Sequence, residues 1–95
     1  MRAITSKMYR LSKEKGIDIG RKATMHELAE MLREVHSLHV RAELNICGGW
    51  SAAVTKLNSK GIFNQYSAVI VSSNLRLPYN DALEIAINRG LELVE

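Results

Sequence analysis

Between Thr24 and Ile46 the apolar spacing changes from that of a helix to that of a strand within two or three residues, and few folds accommodate such a change. The run Thr24-Met25-His26-Glu27 reads as a capping box, in which the Thr hydroxyl accepts from the Glu27 amide and the Glu carboxylate reaches back to the Thr amide. Behind it Leu28, Met31, Leu32 and Val35 recur at helical spacing and predict one apolar face, with Glu27, Glu30, Arg33 and Glu34 on the wet side. From Leu38 the period is two: Leu38, Val40, Ala42, Leu44 and Ile46 point one way, His39, Arg41, Glu43 and Asn45 the other. A strand of this kind buries one face, and the helix that feeds it is the natural cover.

The flanking sequence extends this unit in both directions. Ile4, Met8 and Leu11 predict a first helix, about Thr5 to Lys15, closed by Gly16 in a left-handed cap after two cations. Ile17 and Ile19 lie in a short connector and are expected under the core. After strand one, Cys47-Gly48-Gly49 predicts a tight hairpin turn. Trp50 to Leu57 fits either a helix or a strand by spacing, and the turns on both sides, the second at Asn58-Ser59-Lys60-Gly61, favour a strand. A third strand is expected from Tyr66 to about Ser73, apolar on both faces at Ala68-Val69-Ile70-Val71. Asn74 to Leu77 reads as a loop. Pro78 then opens a last helix, about Tyr79 to Val94, with Asp81 and Glu84 near its positive end.

The expected fold is therefore α+β in the order α-α-β-β-β-α, one domain over residues 1–95, with a three-stranded antiparallel sheet packed against helices. The second and last helices should cover one face of the sheet, and the first should sit at the margin. A chain of 95 residues builds a small core and has a few kcal/mol of net stability, so a homodimer would be unsurprising. No run approaches the roughly 20 apolar residues of a membrane span, the first ten residues lack a secretory h-region, and Cys47 has no second Cys to pair with. The expectation is a cytoplasmic protein without membrane contact.

Charge is unevenly distributed. The formal net charge is +3, yet residues 1–22 hold seven cations against Glu14 and Asp18, a net of +5, which leaves −2 for the rest. Lys7, Arg10, Lys13 and Lys15 are the candidate contacts to nucleic acid, because Lys and Arg bound at phosphates release counterions. The plainer reading is a solvated basic helix.

In this order the pieces resemble a group of short, functionally unassigned proteins of gut Bacteroidetes and their phages and mobile elements. The residues that carry the resemblance are Leu32-Arg33-Glu34-Val35-His36, Trp50, and Tyr79-Asn80-Asp81-Ala82-Leu83-Glu84. It spans roughly residues 5–94 and supports the strand at Trp50, but it implies no activity and no functional residues. Pro78 departs from the Ser or Thr cap that the group has before its Tyr.

Each constellation of chemistry-bearing residues has a plainer explanation. His26 and His36 lie on the first and last turns of one helix, about 15 Å of rise apart, and His39 lies on a strand, so no zinc set converges. Cys47 reads as a small apolar residue at a strand end rather than a nucleophile, and Gly48-Gly49 lacks the Lys-Ser and the helix of a phosphate loop. The order of residues 24–94 is shared with double-stranded RNA-binding domains, but those carry basic residues where this chain has Pro78-Tyr79-Asn80-Asp81. Trp50, Phe63 and Tyr66 could stack on single-stranded bases, though three aromatics in a small domain are more simply core. No catalytic residue, cofactor or metal is therefore expected. The reading is a non-enzymatic adaptor or regulator acting through protein contacts, with phage or mobile-element associations. The alternative is a weak nucleic-acid-associated protein using the basic first helix. Two further expectations can be checked directly. Leu32 and Leu44 should both be core, and an outward apolar strip on strand three, at Val69 and Val71 or at Ala68 and Ile70, should hold a dimer or a partner.

Overall fold

A computed structural model of the protein describes residues 2–57, 63–70 and 76–94, with the backbone alone at 57 and 63–70. Helix α1 spans Ser6–Glu14, α2 Met25–His36 and α3 Tyr79–Leu93; strand β1 spans Leu38–Leu44, β2 Trp50–Leu57 and β3 Phe63–Ile70. The chain is α+β, with an antiparallel sheet packed against helices. Helices α2 and α3 lie against the sheet, and α1 packs on α3.

The helix boundaries follow from their caps. The Thr5 hydroxyl accepts from the Met8 amide at 3.1 Å, and the Thr24 hydroxyl accepts from the Glu27 amide at 3.2 Å, which supplies the Thr half of the expected capping box. Gly16 has the expected positive φ of 73°, and Ile17 and Ile19 behind it are buried. The segment before α1 is tied to α2 through the Ile4 amide on the Ala23 carbonyl and the Met25 amide on the Arg2 carbonyl. Pro78 sits at the N-cap of α3 without a side-chain bond, as its chemistry requires.

The change from helix to strand takes one residue. Ser37 adopts φ 56° and ψ 33°, a left-handed conformation, and its amide donates to the Leu32 carbonyl. β1 then starts at once. Its pairing with β2 aligns Leu38 with Lys56, Val40 with Val54 and Leu44 with Trp50. The hairpin turn is built by Asn45, whose side-chain oxygen accepts from the Cys47 amide at 2.9 Å and the Gly49 amide at 3.4 Å, while its Nδ2 donates to the Ser51 hydroxyl at 2.8 Å. Gly48 provides the positive φ of 80° that this turn needs.

Several expectations are corrected. β1 ends at Leu44 because Asn45 turns the backbone, and Leu44 is 67% exposed while Ile46 is fully exposed, so neither is core. Val35 is also 67% exposed: the core face of α2 is Met25, Leu28 and Leu32, and Val35 lies at its edge in the last turn. β3 starts at Phe63, three residues before the expected Tyr66. The paired backbone is Phe63–Ile70, aligned as Ala53 with Ile70 and Thr55 with Ala68, with a register shift before Leu57 meets Phe63. Residues 71–73, the turn at 58–61 and Asn74 lie outside the described residues, as do the side chains of Phe63, Tyr66, Ala68, Val69 and Ile70 and the whole of Val71. The outward apolar strip is thus beyond what is described.

The core lies between the sheet and α3. Leu32, Ile87 and Leu91 are fully buried, and Val40 and Val54 of the paired strands meet them. Gly90 sets the distance between layers: a methyl group on it would stand 2.5 Å from Val40 Cγ1 and 3.4 Å from Leu32 Cδ1. The opposite face of β2 is also buried, at Ser51, Ala53 and Thr55. Half-buried polar side chains of β1 and the turn after it reach across these small residues: Arg41 donates to the Thr55 hydroxyl and pairs with Glu43, and Asn45 bonds Ser51. The outward side of the sheet is consequently less open than the alternation of β1 alone implies.

Candidate functional site

α1 turns its apolar side to α3, so its basic side chains flank a surface groove of about 470 Å³ lined by Ile4, Thr5, Ser6, Tyr9, Arg10, Lys13, Glu14 and Arg21. Tyr9 is half-buried against the core and leaves its ring available to cations. Lys13 Nζ lies 5.2 Å from the ring centroid and the Arg21 guanidinium 4.7 Å. Three cations therefore share the groove with one carboxylate, Glu14.

The four basic candidates separate. Arg10 and Lys13 line this groove, whereas Lys7 is exposed outside it. Lys15 points elsewhere: its Nζ donates to the Val94 carbonyl at 2.6 Å and the Glu92 carbonyl at 3.4 Å, where a cation satisfies the free carbonyls that end α3. The Lys15 ammonium is therefore engaged at the end of α3 and lies apart from the groove. Arg21 from the connector joins Arg10 and Lys13 in the groove, with Tyr9 between them.

On the other side of the connector, a second groove of about 500 Å³ runs along the flank of α2. Its lining combines the acids Asp18, Glu27, Glu30 and Glu34 with the apolar Ile19, Ala23, Met31 and Val35. Glu27, Glu30 and Glu34 fall at i, i+3 and i+7, so they form one row on the helix. The exposure of Val35 is what gives this groove an apolar end.

The histidines occupy three separate settings. His26 stacks on Tyr79 with ring centroids 6.2 Å apart, and its Nε2 lies 3.3 Å from the Tyr79 hydroxyl. Tyr79 in turn meets Trp50 edge-on at 5.0 Å, and the Trp50 amide donates to the Leu77 carbonyl, so Trp50 joins β2 to the start of α3 rather than standing free as a stacking platform. Arg2 pairs with Asp81 at 3.2 Å beside this cluster. His36 ends α2. His39 is half-buried on the outward face of β1, where burial lowers its pKa first, the Arg41 and Arg33 charges lower it further, and Glu43 opposes them. Cys47 is exposed in the hairpin turn, and β1 alone puts roughly 17 Å of strand between His39 and that end. Among the described residues no group of three or more His, Cys, Asp or Glu is placed to hold a metal, and no helix is long and apolar enough to cross a membrane.

Comparison with protein-family models, curated proteins and solved structures finds no match to this chain.

Proposed function

We propose that this chain is a small non-enzymatic adaptor or regulatory protein that acts through protein contacts, with the flank of α2 as its docking surface. The supporting observation is the groove itself, which is lined by the apolar Met31 and Val35 together with Glu27, Glu30 and Glu34. An apolar seam edged by one sign of charge suits a basic amphipathic segment of another protein. The phage or mobile-element setting and the cytoplasmic location rest on the resemblance and on composition. The finer form of the fold, α-α-β-β-β-α with β3 completing a three-stranded sheet, belongs to the same reading and is supported by the pairing of Ala53 with Ile70.

The test is affinity capture from native lysate with the wild-type chain and with Glu30→Lys/Glu34→Lys as baits, each checked for native circular dichroism. The wild type should retain a partner that the variant loses. An identical set of captured proteins would remove α2 as the docking surface.

A second reading, weak association with nucleic acid, is favoured by Arg10, Lys13 and Arg21 gathered around Tyr9. Phosphate contacts weaken steeply with salt, so retention on a nucleic-acid resin should fall as salt rises and should be abolished by Arg10→Glu/Lys13→Glu/Arg21→Glu. Lys15 is left intact in this variant because it closes α3. Retention that survives the triple change would move the contact elsewhere.

A further inference from the structure

The two grooves lie on either side of one short connector: Asp18, Ile19 and Gly20 line the acidic one, and Arg21 the basic one. They are adjacent, of similar volume, and opposite in charge. We propose that together they form a self-complementary surface on which a second copy of this chain docks about a two-fold axis through the connector. The inference rests on reading the α2 flank as a protein-docking surface.

A two-fold axis at the connector carries the basic groove of each copy onto the acidic groove of the other, so both pairings form at once and the assembly closes at two chains. Arg10, Lys13 and Arg21 then face Glu27, Glu30 and Glu34 twice over. Among the described residues, the ion pair that joins the two grooves within one chain is Lys13 with Asp18, at 3.9 Å and with the Asp side chain fully exposed. Each groove also has apolar lining, Ile4 and Tyr9 in the basic one and Ile19, Met31 and Val35 in the acidic one, so the pairing buries apolar surface as well as charge. Exposed charge pairs contribute little individually and are screened by salt, so the dimer is weak and dissociates as ionic strength rises.

Sedimentation equilibrium of the full chain at high micromolar concentration tests this, at about 0.02 M and about 0.5 M salt, where the screening length differs severalfold. The wild type should be a dimer at low salt and a monomer at high salt. Glu30→Lys/Glu34→Lys and Arg10→Glu/Lys13→Glu should each lower the association constant by at least about tenfold, since like charges then face each other. An equimolar mixture of the two variants should recover a dimer, because the unchanged groove of each still pairs with the other and the charges introduced in one variant are opposite to those introduced in the other. This recovery separates a lost contact from a lost fold. A monomeric wild type at low salt, variants that dimerise as the wild type does, an open polymer, or a mixture that stays monomeric would each overturn the proposal. Partner capture that persists through the α2 groove in a monomeric wild type would leave the proposed function standing while the dimer fails.

Discussion

Helix α2 and strand β1 each begin buried and end exposed. Leu28 and Leu32 are fully buried but Val35 is 67% exposed; Leu38 and Val40 are buried but Leu44 is 67% exposed. In both elements the apolar period continues past the point where the cover ends. That point is set by α3, which approaches most closely where Gly90 meets Val40 and Leu32. The packed half of each series holds the fold, and the open half of α2 is free to line a groove. Residues that hold the core and residues that line the groove thus lie a few positions apart in one helix.

The largest effect should come from the packed half. Leu32→Ala removes a fully buried side chain and should cost about 2–5 kcal/mol, enough to unfold much of a domain with a small reserve. Urea denaturation measures it, and a loss below about 0.5 kcal/mol, typical of surface positions, would place Leu32 outside the core.

Next is Gly90→Ala, which sharpens where the cover lies closest. In an open helix this change would gain about 1 kcal/mol. Here the added methyl meets the stiff, branched Val40, and overpacking of about 1–3 kcal/mol should turn the gain into a net loss. A more stable variant would mean that α3 and β1 are not in close contact.

A smaller effect concerns pH. Unfolded, His39 titrates near 6.5; folded, its pKa is lowered, so below 6.5 the unfolded chain binds the proton first. The contribution of neutral His39 is therefore fully present above pH 6.5 and is lost as pH falls through the folded value. Comparing urea midpoints at neutral and mildly acidic pH, His39→Gln should lose less stability on acidification than the wild type. Equal losses would remove His39 as a source of the pH dependence.

Smaller still is Leu44→Ala, for which the exposed end of β1 predicts a change within about 0.5 kcal/mol. A loss above about 2 kcal/mol would extend the core to the hairpin and erase the contrast within β1.

Much of this architecture was legible in the residues. The change of period at Ser37, the Thr5 and Thr24 caps, the cap at Gly16 and the buried Ile17 and Ile19 are local properties, and local chemistry determines them. Burial along a periodic series is different, because it depends on what lies opposite. Leu44 and Val35 match their series as well as Val40 and Leu32 do, and only the position of α3 separates them. Gly90 looks like a weak helix residue until Val40 is placed against it. The basic groove was half legible: Arg10 and Lys13 could be picked from the charge of the first helix, whereas the role of Arg21 depends on its return to Tyr9, 12 residues earlier in the chain. The contacts of Lys15 are not legible locally, because the carbonyls it meets belong to the far end of the sequence.

The central claim is that the end of α2 is surface, held available for docking, and urea denaturation of Val35→Asp tests it most directly. A carboxylate in the groove should leave the unfolding free energy within about 0.5 kcal/mol of the wild type, because Val35 contributes little to the core. A loss of more than about 2 kcal/mol, as expected when a charge is forced into an apolar interior, would contradict it.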